Sequence, residues 1–217
     1  ASIADGQDVL VTQRIEGMPL IIRDDLDLRL SLGELVKFMH SKVKITGEEW
    51  VRSKKTTFEY YDHFLFYWLQ GPITELRKGT VTQVLLSQLG ENFRQRCPYV
   101  TPVFCHQDLH DNQVLVTNED RLVLVDFENW QEGDSLNELA HYLFHTIRTD
   151  RDLRFFREFI SGYLSGANLE DDEKLALVFH ALFISAKAVS YFYNFRRDYL
   201  ETARKNHQKV LSFVDRE

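Results

Sequence analysis

The sequence predicts an α+β fold: a mainly helical body with a small β island inside it and a β-hairpin at its front. Three observations lead there. Apolar residues recur at helical spacing in several long stretches, a central stretch switches to short runs rich in β-branched residues, and the opening residues alternate around a tight turn. At 217 residues the chain holds one main domain, since domains typically run to roughly 100–200 residues. With 44% apolar and 27% charged residues it can bury enough surface to fold.

Taken in order, SIADGQDVLVTQRIEGMPL reads as an extended piece, a turn at Asp5-Gly6, and a second strand from Val9 to Ile15 ended by Glu16-Gly17 and Pro19. A lone two-stranded hairpin is marginal in water, so further strands or another surface must cover it. Leu28, Leu32, Leu35, Val36 and Met39 then mark an amphipathic helix to about His40. Thr57 to Leu69 and Ile73 to about Leu89 are the next helices, broken by Gly71-Pro72. The β runs follow: Val100 to Cys105, Gln113 to Val116, and Leu122 to Val125, the last two joined by the polar turn TNEDR. After Ser135 the pattern is helical to the end.

The most apolar of these helices, Leu175 to Tyr193, is nearly long enough to span a bilayer but carries His180 and Lys187 in its middle. A charge at the bilayer centre costs about 2.5–3.5 kcal/mol, which predicts a core helix and no membrane partner. A net charge of −7 without a basic stripe argues against nucleic acid as a partner. Two cysteines, Cys97 and Cys105, are too few for a disulfide framework and read as small buried residues. With no signal segment at the front, the expected location is cytoplasmic.

Chemistry concentrates in FCHQDLHDNQVLV, Phe104 to Val116, and in LVLVDFENW, Leu122 to Trp130. Metal-assisted phosphoryl transfer needs one carboxylate to take the hydroxyl proton of the attacking group. It also needs a second carboxylate and an amide oxygen that hold Mg²⁺ against nucleotide phosphates. His106-x-Asp108, Gln113, strand, turn, strand and Asp126-Phe127-Glu128 supply those groups in a workable order.

HQDLHDNQVLV…LVLVDFENWQEGDSLNELA resembles the catalytic segment of the aminoglycoside phosphotransferase and choline kinase-like family, relatives of the protein kinases. The resemblance implies a protein-kinase-like fold, with residues 1–17 a residual N-lobe hairpin and hinge and 18–217 a helical C-lobe. It implies Asp108 as the catalytic base, His106 as a brace of its loop, and Asp126 and Gln113 as Mg²⁺ ligands, with Glu128 as an additional metal group. Gln113 stands where most relatives have asparagine. Asn112 falls one place early, so Gln113 is the expected ligand, its amide oxygen offering the same donor one methylene further out. Gly133-Asp134 and Glu138-Leu139-Ala140 match family positions expected to brace the loop. LVTQRIEGMPL is similar to the family's hinge, which makes Gln13 C=O and Ile15 N–H the groups expected to bind the adenine of ATP, or the guanine of GTP.

The implied reaction is transfer of the nucleotide γ-phosphate to a hydroxyl of a small-molecule acceptor. Relatives also carry a phosphate-covering loop and a strand lysine ahead of the hinge, neither found here, so the expectation is a truncated form, inactive alone, with its hairpin covered by the missing lobe or by a second copy. A kinase-like binding module without turnover is the alternative. A histidine-aspartate metal phosphohydrolase, with His110-Asp111 as the ligand pair and His40 or His63 as partner, is a weaker one, because strand residues follow where that class has helix. A zinc site from Cys97, Cys105, His106 and His110 lacks a recognisable spacing. Residues 148–217 hold eleven acidic and twelve basic side chains, so charge does not favour a polycationic acceptor.

Overall fold

Residues 15–43, 79–96 and 102–214 are described in the structure, a computed structural model. The expected strand from Val9, with Gln13, and the expected helix over 57–69 lie outside the described residues, as do His63 and Cys97.

Asp25 starts the first described helix. Its carboxylate accepts the N–H groups of Asp27 (3.0 Å) and Leu28 (3.2 Å), two of the donors that a helix start leaves without partners. Helix α1, Leu26–Lys42, then buries Leu28, Leu32, Val36 and Met39, the stripe its spacing predicts. Helix α2 spans Val81–Arg96. The C-terminal half consists of α3 (Ser135–Arg148), α4 (Arg154–Leu164), α5 (Asp171–Phe195) and α6 (Leu200–Val214). A Cβ built at Gly33 of α1 would sit 2.0 Å from the Phe159 carbonyl oxygen, and one at Gly162 of α4 1.9 Å from that of Leu30. The two helices therefore touch backbone to backbone, an approach that any side chain would forbid.

Helix α5 runs through the centre, packed against α2, α3 and α6. It is the one helix among the described residues long and apolar enough to cross a membrane, yet 67% of that apolar window is buried inside the fold. Polar groups in its middle are paired there: His180 meets Asp134 at 3.0 Å, and Ser185 meets His207 of α6 at 2.8 Å, whose other ring nitrogen lies 2.7 Å from Thr82 of α2.

Among the described residues, five short strands make two small sheets. β3 (Val114–Val116) and β4 (Leu122–Leu124) form the expected hairpin, and β1 (Met18–Pro19) adds to the free edge of β3. β2 (Pro102–Cys105) pairs with β5 (Gln131–Asp134). Three details correct the sequence-based expectation. Met18-Pro19, expected to lie past a strand end, are themselves a strand because β3 offers its edge. Gln131-Glu132-Gly133-Asp134 has no apolar alternation to announce it, and its extended form comes from the ladder with β2. Gln113 closes a 3-10 turn, Asp111–Gln113, instead of opening β3, because its N–H reaches back to the His110 carbonyl at 2.8 Å. Both sheets abut the helical body, and the loops joining them collect the polar cluster at one edge.

Candidate active site

The loop from His106 to Gln113 is held from behind by buried polar side chains. His106 is fully buried. Its Nε2 donates to the Val125 carbonyl at 2.7 Å, which leaves Nδ1 to accept the Asp108 N–H at 3.3 Å. One ring thus ties the position of Asp108 to the residue before Asp126. Between them, Gln107 has φ 67°, a left-handed backbone that a non-glycine residue adopts at a cost of roughly 1–3 kcal/mol. Glu138 of α3 holds it there, its Oε2 accepting the Gln107 N–H at 2.9 Å, while Asn137 donates to the Gln107 side-chain oxygen at 3.1 Å. Burial pushes the Glu138 carboxyl up to about 7, against the lowering effect of the Gln107 and His106 N–H groups.

Asp111 is a second anchor. Its Oδ2 takes Arg29 Nη2 at 2.7 Å and Arg151 Nη1 at 2.8 Å, and its Oδ1 accepts the Tyr142 hydroxyl at 2.7 Å. Arg29 is wholly buried and donates further to the carbonyls of Arg23 (2.7 Å), Asp25 (3.0 Å) and Leu20 (3.1 Å), and Arg151 donates to that of Ile21. Both guanidinium groups lie over the Phe155 ring, at 4.6 and 5.2 Å. The loop is thereby fastened to the segment just before α1. Asp111 has no oxygen to spare for a metal, and His110 and Asp111 sit on no long helix, which removes the basis of a histidine-aspartate phosphohydrolase; His40 is engaged elsewhere, 2.9 Å from the Tyr163 hydroxyl.

The front of the loop is open. Asp126 is exposed, in left-handed backbone at φ 65°, ψ 55°, at the head of a 3-10 turn, Phe127–Asn129. Gln113 Nε2 lies 2.8 Å from Asp126 Oδ2 and 3.5 Å from Asp108 Oδ2. The structure therefore brings Asp108, Gln113 and Asp126 to one edge. Asn112 is exposed, and only its backbone N–H is engaged here, by His110 Nδ1 at 3.2 Å. Glu128 is exposed on the Phe127–Asn129 turn, with no hydrogen bond or ion pair to Gln113 or Asp126 among the described residues. Ile15, the one described hinge group, is 37% exposed in irregular backbone.

Asp108 has neighbours that its motif does not announce. His145 Nε2 of α3 is 3.5 Å from Oδ1, and His110 Nε2 is 3.6 Å from Oδ2. Burial works to raise the Asp108 carboxyl, but contacts with His110 and His145 outweigh it and hold the group well below the usual carboxylate range. Burial pushes His145 down to about 4, so this ring is neutral at pH 7. His145, Arg151 and Tyr142 carry no local sequence signal, since each acts from a distant helix or connection. Arg29 did carry one: an arginine beside the buried stripe position Leu28 needs an acidic partner.

A family model described as phosphotransferase enzyme family matches residues 6–178. No curated protein matches. Among solved structures, the chain is similar to an ethanolamine kinase of Plasmodium vivax (13% identity, 91% of this chain and 63% of that one, TM-score 0.64). It is also similar to an aminoglycoside phosphotransferase of Alicyclobacillus acidocaldarius (16%, 94% and 68%, TM-score 0.61). A third likeness is to the choline kinase LicA of Streptococcus pneumoniae (14%, 88% and 64%, TM-score 0.56), a protein also solved in complex with AMP. The chain spans about two thirds of the length of these structures. The shared fold is protein-kinase-like.

Proposed function

The chain belongs to the phosphotransferase enzyme family, and from that premise we propose that it transfers the γ-phosphate of ATP or GTP to a hydroxyl of a small molecule with the help of Mg²⁺. The observation that carries this reading is the meeting of Asp108, Gln113 and Asp126 at one open edge, with Gln113 2.8 Å from Asp126 and 3.5 Å from Asp108. The donors fit Mg²⁺, a hard cation that takes oxygen ligands. Asp126 offers a carboxylate, and turning the Gln113 amide about its last bond presents Oε1 in place of Nε2. When bound there, Mg²⁺ would neutralise charge on the nucleotide phosphates.

Asp108 would receive the acceptor hydroxyl. Its lowered pKa keeps it ionised at pH 7, a weak base that still accepts a hydrogen bond, suited to orienting the hydroxyl oxygen toward phosphorus and taking its proton late, when the O–P bond has largely formed. His106 and Glu138 keep the loop in place while this happens. The adenine or guanine ring would meet the hinge backbone near Gln13 and Ile15.

Amino alcohols and aminoglycosides are the acceptor classes that the neighbours' names suggest, and the balanced charge of residues 148–217 directs a first panel toward neutral and singly cationic alcohols. The test is nucleotide-dependent phosphorylation of such a panel by protein expressed from its complete coding sequence. Turnover lost in Asp108→Asn supports the reading. Stoichiometric nucleotide binding with no turnover on any acceptor would favour the binding-module alternative.

A further inference from the structure

Asp108, His110 and His145 present one carboxylate oxygen and two imidazole nitrogens that all lie within 4.8 Å of one another. The separations are informative. At 3.5 and 3.6 Å, the two N···O pairs are too long for good hydrogen bonds. Each comes close to the spacing of neighbouring ligand atoms around zinc, about 3.3–3.4 Å for bonds of about 2.0–2.1 Å, with His145 beside Oδ1 and His110 beside Oδ2, so the carboxylate faces the two rings with both oxygens. The two rings lie side by side, centroids 4.2 Å apart and planes inclined by 35°.

The surroundings supply what a ligating ring needs on its far side. His145 Nδ1 is buried without a hydrogen-bond partner. A cavity of about 20 Å³ lined by His110, Tyr142, His145, Thr146, Arg148 and Thr149 lies beside it, and that volume holds about one water. A proton on that buried Nδ1 is the tautomer that leaves Nε2, the nitrogen beside Asp108, free to ligate. On His110 the ring proton moves to Nδ1, at the expense of the 3.2 Å bond from the Asn112 N–H, which is at the weak end of the range.

We infer that Asp108, His110 and His145 form a site for a borderline divalent cation of the zinc class, distinct from the oxygen donors Gln113 and Asp126 and placed over the carboxylate that the phosphotransfer reading assigns as base. Two imidazoles select Zn²⁺, Co²⁺ or Ni²⁺ over Mg²⁺. The bound ion takes the lone pairs with which Asp108 would accept a hydroxyl proton, so it inhibits. The inhibitory consequence rests on the phosphotransfer reading; the binding does not.

Metal-stripped protein is titrated with Zn²⁺ against a chromophoric chelator, and with Co²⁺ by visible absorption. One equivalent bound, with the intense bands of low-coordinate Co²⁺, is expected. His145→Gln should weaken binding by at least about 10-fold, the scale on which metal sites respond to altered ligation, and Asp126→Ala should leave it unchanged. If His145→Gln does not fold, as judged by circular dichroism, His110→Gln on the looser side of the pair reads the same loss. Binding too weak to compete with the chelator, or equal in parent and histidine variants, overturns the site, as does loss in Asp126→Ala. In an assay with excess Mg²⁺, Zn²⁺ should lower the rate in the parent and not in His145→Gln. Zinc binding through His145 in a protein that phosphorylates nothing would keep the site and sink the function.

Discussion

The two sides of the loop from His106 to Gln113 are built on opposite principles. Behind it, His106, Asp111, Glu138 and Arg29 are buried and tied to backbone groups or to each other, so that the loop conformation is over-determined. In front, Gln113, Asp126 and Glu128 are half-buried or exposed, and the one close contact among them is a single 2.8 Å pair. Rigidity is invested where no ligand can reach, and lone pairs are left open where a ligand would bind. Strained backbone at Gln107 and Asp126 sits at the seam between the two, as expected where surrounding structure holds an unfavourable conformation for use.

Breaking the front should cost activity without cost in stability. Asp126→Ala removes the one carboxylate of the proposed Mg²⁺ pair from an exposed position. It should lower nucleotide-dependent turnover by about 10³-fold, the scale of losing a preorganised electrostatic group, while the urea midpoint stays within error. Equal turnover in variant and parent would refute the metal assignment.

Breaking the back should do the reverse. Asp111→Ala leaves Arg29 buried without its carboxylate, and the loss of one partner of a buried pair costs about 3–5 kcal/mol. Replacing both at once, Arg29→Met with Asp111→Leu, should cost less than the sum of the singles, because the wholly buried Arg29 charge is then not stranded, although Arg151 and Tyr142 still lose Asp111. Urea unfolding of both single variants and the double decides this. A double variant as unstable as the sum of the singles would show that the pair's remaining partners, Tyr142 and Arg151, carry the anchor.

Glu138 sharpens the contrast through pH. Its folded pKa of about 7 lies above the ordinary value of 4.5, so the folded state favours the protonated form. The associated stability is complete below about pH 4.5 and is lost as pH rises through about 7, amounting to on the order of 3 kcal/mol. Glu138→Gln keeps an acceptor for the Gln107 N–H and cannot ionise. Its stability relative to the parent should therefore rise between pH 5 and pH 8, measured by thermal melts across that range. A constant difference would mean that Glu138 is ionised throughout.

How much of this the sequence could reveal follows the same division. The front is a local pattern, His-x-Asp with Gln113 and then Asp126, within a couple of dozen residues, and it could be read because spacing along a short loop and hairpin nearly determines proximity. The long helices could be read for a similar reason, through the periodicity that buries Leu28, Leu32, Val36 and Met39. The back could be read only in part. Arg29 and Asp111 are 82 positions apart, and His145 reaches Asp108 from another helix, so their meeting depends on how helices dock. Strand β5 escaped for an analogous reason: its residues are polar, and only the partner strand makes them extended.

The smallest effect tests the finest point at the front, the glutamine at the position where the resemblance leads one to expect asparagine. Gln113→Asn keeps the amide but withdraws it by one methylene from Asp126, whose Oδ2 now accepts from Gln113 Nε2 at 2.8 Å. The Gln113 backbone is pinned by its N–H to His110 and by its carbonyl, which accepts the Val125 N–H at 2.9 Å, so the backbone cannot follow the shorter side chain. Asp126 remains as a ligand, and a water can bridge the gap. The apparent Mg²⁺ requirement should rise by less than about 10-fold, or under about 1.4 kcal/mol, with maximal turnover largely kept. Steady-state rates over a Mg²⁺ series measure both. Should Gln113→Asn fall as far as Asp126→Ala, the amide position depends on length as well as on chemistry, and the front edge is as tightly specified as the back.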